Sequence, residues 1–286
     1  MSMLWARLRD ARYALPGQIE RWTDGPDSRA TARLAARLGK AGLATTLGYF
    51  QRNSDGPEVI LAQNLAAAAA LGGHDIHLSA YLSVKAPPLG FDPARIEAIA
   101  VAARAAGTTI LLDAHAPRDA EATLALVEHL LPAFPGTGCA IPARWERSAD
   151  DVERLRDTSA RIRLVKGEWP DPVDDGDIEE RYVVLARLLA GRRAPVAVAT
   201  HRPELARAAL RVLQSSGTPC ELEQLRGLPR RASSAVAAEL GVPVRLYLPF
   251  GPGWWPYAVD KALARHYLPG WILRDLVGPK GNSATA

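Results

Sequence analysis

The residues best equipped for chemistry recur at the ends of short apolar runs. Ser83-Val84-Lys85 closes one, Asp113-Ala114-His115 the next, and Arg163-Leu164-Val165-Lys166-Gly167 a third. Thr200-His201 and Glu221-Leu222-Glu223-Gln224 close two more, and Tyr247 lies within the last. A lone charge at a strand end is commonly a structural ion pair, but charge or hydrogen-bonding capacity at one end after another asks for a ligand. The set contains an acid–base pair, Lys85 with Asp113, and cations able to face an anionic cofactor. The histidines invite a metal reading, and Asp113-x-His115 puts both side chains on one strand face. No H-x-H accompanies it, so no metal is expected. No G-x-S-x-G elbow supports a serine nucleophile. Trp254-Trp255-Pro256-Tyr257 is open to two readings, packing against the last loop or stacking on a ligand.

These residues must be positioned by a regular scaffold, and the sequence shows one. β-rich runs at 44–50, 76–84, 109–114, 138–143, 161–166, 195–200, 220–224 and 244–250 alternate with helical periodicity. The helical stretches cover 58–71, 93–106, 117–131, 149–158, 178–190, 203–215, 231–240 and 257–268. Proline opens several of them, where its missing N–H costs nothing, and glycine closes several. The strands are apolar on both faces, as parallel strands covered by helices must be. Eight such units predict an α/β fold, a (βα)8 TIM-type barrel with chemistry at the C-terminal ends of its strands. Residues 1–38 are expected to form an N-terminal helical segment packing on the barrel, and 39–286 the barrel. A doubly wound sheet would carry a glycine-rich phosphate loop after its first strand, and residues 48–56 have no G-x-G-x-x-G.

The bulk properties narrow the function class. The chain has 286 residues, 48% hydrophobic and 23% charged, enough to bury one large core. Its net charge of +4 is spread without basic blocks or interleaved aromatics, so nucleic acid is not an expected partner. The two cysteines, Cys139 and Cys220, lie in strand-like runs and read as buried thiols. No apolar run reaches the length of a transmembrane helix. Charges among the first residues interrupt any signal-peptide pattern, so a cytoplasmic location is expected.

Taken in order, the strand ends match a known set. Leu82-Ser-Val-Lys85, Arg163-Leu-Val-Lys-Gly167, Ala199-Thr-His201, Glu221-Leu-Glu-Gln-Leu-Arg-Gly227 and Val244-Arg-Leu-Tyr-Leu-Pro-Phe-Gly251 occur with Trp254-Trp-Pro-Tyr257 and Gly270-Trp-Ile-Leu-Arg274. Together they resemble the FAD-dependent proline dehydrogenase family, from about Arg12 to Gly278. The resemblance implies a distorted (βα)8 barrel with FAD over the strand ends, and hydride transfer from a carbon beside nitrogen to flavin N5. It places Arg163 against the isoalloxazine, and Lys166, Gly167, Thr200 and His201 on the flavin, its phosphates or ribitol, with Gln224 among the cofactor contacts. It makes Lys85 and Asp113 an ion pair on the barrel floor, and puts Tyr247 and Tyr257 at the substrate.

Departures from the family pattern bear on substrate. The family's adjacent arginines, which clamp a carboxylate, correspond to Asp260 and Lys261, and its following glutamate to Ala264. Lysine is a point donor without the bidentate fork of arginine, and an aspartate repels a carboxylate. The family's strand-four Gln-Ala-Tyr is Pro142-Ala143-Arg144, and Trp169 stands where tyrosine is usual. Trp169, Asp260 and Lys261 are therefore expected to shape a different substrate site. The expected activity is amine or amino-acid-derivative oxidation, in secondary metabolism, with quinone or oxygen as acceptor. Oxidation of L-proline itself and a non-catalytic flavin-binding homologue are the alternatives. An oligomer is compatible with the sequence.

Overall fold

A computed structural model describes residues 25–74, 80–172 and 176–258. Eight parallel strands close into a barrel in chain order: β1 (Ala44–Tyr49), β2 (Ala80–Val84), β3 (Thr109–Leu112), β4 (Gly138–Pro142), β5 (Arg161–Val165), β6 (Val196–Ala199), β7 (Cys220–Leu225) and β8 (Val244–Phe250). Helix α1 (Ser28–Lys40) precedes β1. The helices that follow are α2 (Pro57–Gly72), α3 (Pro93–Ala105), α4 (Ala120–Leu130), α5 (Ser148–Leu155), α6 (Ile178–Leu188), α7 (Pro203–Ser215) and α8 (Arg231–Glu239). The expected (βα)8 architecture is present. Helix starts follow local chemistry. Asp27, Asp92 and Asp177 cap α1, α3 and α6 by accepting first-turn N–H groups, and proline opens α2, α3 and α7.

The two faces of each strand do different work. Outward residues such as Leu47, Leu82, Ile110, Ile141, Leu164, Val198, Leu222 and Leu248 form one apolar core with the helix layer. Alanines at Ala67, Ala68, Ala103, Ala206 and Ala209, all fully buried, let the helices approach the sheet closely. Each larger side chain buried there contributes roughly 1.5–3 kcal/mol, so this layer supplies most of the driving force for closure. Inside the barrel the apolar content is small, a cluster of Tyr81, Leu111 and Ala140.

The seam between β8 and β1 is covered from the N-terminal side. α1 packs on β1, β8 and α2, burying Ala32, Ala35 and Leu38. The chain after β8 turns over the strand ends instead. Residues 254–258 are helical, and Trp254 and Tyr257 lie 5.3 Å and 5.1 Å from Phe50, ring centroid to centroid. This exchange frees the residues after β8 to form a wall across the mouth. The expected helix at 257–268 lies mostly outside the described residues, as do residues 1–24 of the expected N-terminal segment. Among the described residues, no helix is long and apolar enough to cross a membrane.

Candidate functional site

Strand register explains how long charged side chains fill the barrel. Arg163 of β5 pairs in register with Ala140 of β4 and Ala197 of β6, and Ala199 pairs with Glu223 of β7. Small residues on the inner faces of β4 and β6 open gaps through which β5 reaches two strands away on either side. Nη1 of Arg163 donates to Oδ1 of Asp113 at 2.6 Å, and Nε donates to Oε2 of Glu223 at 3.1 Å. Nη1 and Nη2 also donate to Oγ of Ser83, at 3.2 and 3.1 Å. Glu223 is fixed further by Thr46, whose hydroxyl donates to Oε1 at 2.9 Å, and by Tyr81, whose hydroxyl donates to Oε2 at 2.7 Å. Arg163 is 4% exposed and Glu223 2%, so both ions are out of water and depend on one another.

Below this level lies a second set. Arg161 and Arg245 both donate to Oε1 of Glu221 at 2.7 Å, and Arg245 Nη1 donates to the Thr45 carbonyl at 2.5 Å. The Arg245 guanidinium sits 4.2 Å from the Tyr81 ring centroid.

Toward the mouth, Tyr247 donates to Oδ2 of Asp113 at 3.3 Å, with the Arg163 guanidinium 5.1 Å from its ring centroid. The ring fits because position 48 is glycine: a Cβ there would lie 1.9 Å from the Tyr247 hydroxyl. Burial raises the Tyr247 phenol, and Asp113 adds to the rise, so it remains a donor. Burial pushes the Asp113 carboxyl up, but Arg163, Lys85 and the Ser83 hydroxyl outweigh it and hold it below the usual range. Lys85 Nζ donates to the Tyr49 carbonyl and lies 4.0 Å from the Phe50 ring centroid. Burial, aided by Arg163 and opposed by Asp113, lowers its ammonium to about 8. Lys85 and Asp113 are thus coupled through space, but the direct ionic partner of Asp113 is Arg163. The expected floor pair is replaced because Arg163 is the longer, forked donor and reaches both carboxylates. The pair also sits toward the mouth, and the floor belongs to Arg245.

The β5–β6 side of the mouth carries the other sequence candidates. Lys166 and Arg202 both bind Oε1 of Glu179, Arg202 at 2.5 Å. Gly167 has φ +92°, and a Cβ on it would meet Cβ of Pro142 at 2.8 Å. Thr200 accepts the Arg202 N–H at 3.1 Å. His201 Nε2 accepts the Leu225 N–H at 3.0 Å, so Nδ1 carries the hydrogen and donates to the Pro229 carbonyl at 2.9 Å. That ring ties the β6 and β7 loops together. Gln224 departs from the expected role. It points to the outer face of β7, where its amide donates to Ser233 at 2.7 Å and its carbonyl oxygen accepts from Ser234 at 3.0 Å. Strand alternation puts it opposite Glu223, so it pins the start of α8 and does not face the interior. Trp169 is 47% exposed at the rim, and the Tyr257 hydroxyl donates to Glu168 at 2.9 Å. Asp260 and Lys261 lie outside the described residues.

The sequence marks Ser83 and Glu223 as polar strand-end residues without a role of their own, and does not single out Tyr81 or Thr46. The signal was present as period-two acids, Glu221 and Glu223, in a strand whose register neighbours supply Arg245 and, two strands away, Arg161 and Arg163. Among the described residues no group of three or more His, Cys, Asp or Glu side chains is placed to hold a metal.

Comparison with known proteins agrees with this arrangement. The family model described as proline dehydrogenase matches residues 33–254. Proline dehydrogenase 1 of Bacillus subtilis subsp. natto is 23% identical over 276 residues, covering 90% of each chain. Proline dehydrogenase of Deinococcus radiodurans is 28% identical over 271 residues, covering 86% of each. The fold matches proline utilization A from Bdellovibrio bacteriovorus, inactivated by N-propargylglycine, with a TM-score of 0.73 and 17% identity over 93% of this chain. This chain spans about a third of that protein's length, 34%. With the barrel, the charged interior and the family model in agreement over most of its length, the chain belongs to the proline dehydrogenase family, as a divergent member.

Proposed function

We propose that this protein is an FAD-dependent oxidoreductase that removes hydride from a C–H beside the nitrogen of a small amine or amino-acid derivative. The observation that supports it most is Arg163, a buried cation held directly beneath a basic mouth. The residues at that mouth fit an anionic, diphosphate-bearing group. Arg144, beside Gly167, has a buried Nε with no hydrogen-bond partner among the described residues, and Lys166 and Arg202 share one carboxylate between two cations. Glycine at 167, with φ +92° and Pro142 packed where a Cβ would project, lets the chain turn beside these cations. Lys166, Gly167 and Thr200 would hold the cofactor's polar parts, with the face of His201 alongside, and Arg163 would lie nearest its ring. FAD, when bound, supplies the two-electron acceptor.

The chain's own residues do the rest. Arg163 keeps a fixed positive charge under the mouth, where a preorganised cation is worth far more than in water. Lys85, with its ammonium near 8, can hold or release a proton close to neutral pH. Asp113 stays ionised and orients the Tyr247 hydroxyl. Phe50, Trp254 and Tyr257 form an aromatic wall that excludes water and packs on an apolar substrate body. The substrate would lose a hydride from carbon, which carries both electrons, and a proton from nitrogen to become an imine, and quinone or oxygen would take the electrons onward.

The family's carboxylate clamp corresponds to Asp260 and Lys261 in the sequence, which argues for a substrate without an α-carboxylate rather than free L-proline. Purified protein reconstituted with FAD should bleach anaerobically with a cyclic or secondary amine and not with L-proline. A protein that takes up no FAD overturns the flavin reading. Saturable bleaching by L-proline would instead assign it the activity named for its curated relatives.

A further inference from the structure

Glu223 touches neither the mouth nor its rim, yet it is the most tightly held carboxylate next to Arg163. Its two oxygens take hydrogen bonds from Thr46, Tyr81 and Arg163 Nε, and it is 2% exposed. We infer that Glu223 is a positioning residue that aims the Arg163 guanidinium at the mouth and offsets its charge, setting how strongly the site favours an electron-rich ligand. This inference rests on the flavin reading above.

The geometry carries both halves. Glu223 takes Nε from the β7 side, while Asp113 and Ser83 take Nη1 from the β3 and β2 sides. Held at three points, the planar guanidinium cannot rotate about its stem, and of its five N–H groups one on Nη2 has no partner among the described residues. The charge is offset because two carboxylates, Glu223 buried and Asp113 half-buried, flank one guanidinium. Asp113 also faces Lys85, Tyr247 and His115, so its influence changes with what binds at the mouth. Among the described residues Glu223 binds Arg163 and the Thr46 and Tyr81 hydroxyls, and at longer range it acts on Arg245, Tyr182 and Tyr247. Hydroxyl donors stabilise the Glu223 charge without neutralising it, which is the arrangement required to tune a neighbouring cation.

The test is the midpoint potential of bound FAD, measured by anaerobic dye-equilibrated titration of wild type, Glu223→Gln and Tyr81→Phe. Glutamine keeps the shape and an acceptor for Arg163 but removes the charge. It should raise the affinity for reduced relative to oxidised FAD about tenfold, a rise of ~30 mV for a two-electron couple. Tyr81→Phe keeps the carboxylate but removes a donor from the oxygen that binds Arg163 Nε, concentrating charge there. It should move the same ratio the opposite way, about twofold. If Glu223→Gln does not fold, the Tyr81→Phe result decides, and no shift or an upward one overturns the inference. Wild type that binds FAD while Glu223→Gln leaves its potential unchanged overturns this inference alone. Wild type that binds no FAD overturns the flavin reading and this inference with it.

Discussion

Two arginine–carboxylate sets occupy successive levels of the same barrel, and they are built in opposite proportion. At the floor two arginines, Arg161 and Arg245, share Glu221; above it two carboxylates, Asp113 and Glu223, share Arg163. The floor cations end on scaffold groups, the Thr45 carbonyl and the Tyr81 ring. The upper set opens toward Lys85, Tyr247 and the aromatic wall. Charge at the N-terminal end of a TIM barrel thus serves closure, whereas charge near the C-terminal end remains available to a ligand. The same chemistry one level apart has been assigned two tasks by which groups surround it.

The comparison breaks most sharply at Glu221. Glu221→Ala leaves Arg245, 1% exposed, without its carboxylate and should cost about 3–5 kcal/mol of stability. Chemical denaturation would show the loss as a lower midpoint, and protein that remains folded should keep its FAD affinity. A large fall in FAD affinity at unchanged stability would mean that the floor is not merely structural. Arg163→Met is the counterpart one level up. It should lower turnover about a hundredfold or more, as the loss of a preorganised electrostatic group does. It should also invert the acid dependence. In wild type the depressed Asp113 carboxyl contributes stability above its unfolded pKa, and that contribution is lost as pH falls through the lower folded value. Without Arg163, burial pushes the Asp113 carboxyl up with mainly Lys85 and the Ser83 hydroxyl left to oppose it, so denaturation curves between pH 4 and 7 should show stability rising as pH falls.

How much of this was legible in the sequence differs between the faces of a strand. The barrel could be read from period and punctuation, because apolar outer faces and capped helices are local signals. Arg163, Asp113, Lys85 and Tyr247 were legible as polar residues in apolar runs. Their partnerships were not. The resemblance implies a Lys85–Asp113 ion pair, yet the guanidinium of β5 reaches Asp113 across β4, a fact of register and of small Ala140. Gln224 and Glu223 are adjacent in sequence and opposite in space, so which of the two faces the interior depends on strand parity, which the sequence alone does not fix. The exchange of roles between α1 and the chain after β8 depends on tertiary packing that no local pattern encodes.

Lys85 offers a smaller effect of opposite sign. Its ammonium is lowered from 10.5 to about 8, mainly by burial, so the folded state binds its proton less well than the unfolded chain. Stability should therefore rise with pH between about 8 and 10.5. Lys85→Met should abolish that rise and stabilise the protein at neutral pH by about 2 kcal/mol, while impairing oxidation. A destabilised Lys85→Met protein, or one with the same pH slope as wild type, would show that the Phe50 ring and Tyr49 carbonyl offset the cost of burying the cation.

The smallest effect belongs to Gln224, and it separates the two faces of β7 most cleanly. Its side chain is 1% exposed and links Ser233, Ser234 and the Arg230 carbonyl at the start of α8. Gln224→Ala removes those bonds and leaves buried hydroxyls to find other partners, a loss of about 1–2 kcal/mol. The flavin potential should not move, because the α8 side of the strand is screened from Arg163 by the strand itself. Glu223→Gln, one residue earlier, should shift the potential, and because it removes a counter-charge from a buried guanidinium it should lower the unfolding midpoint as well. A potential shift in Gln224→Ala comparable to that in Glu223→Gln would mean that the site responds to movement of the whole β7 end. The distinction between an inner electrostatic face and an outer packing face would then fail at the position where the sequence makes it sharpest.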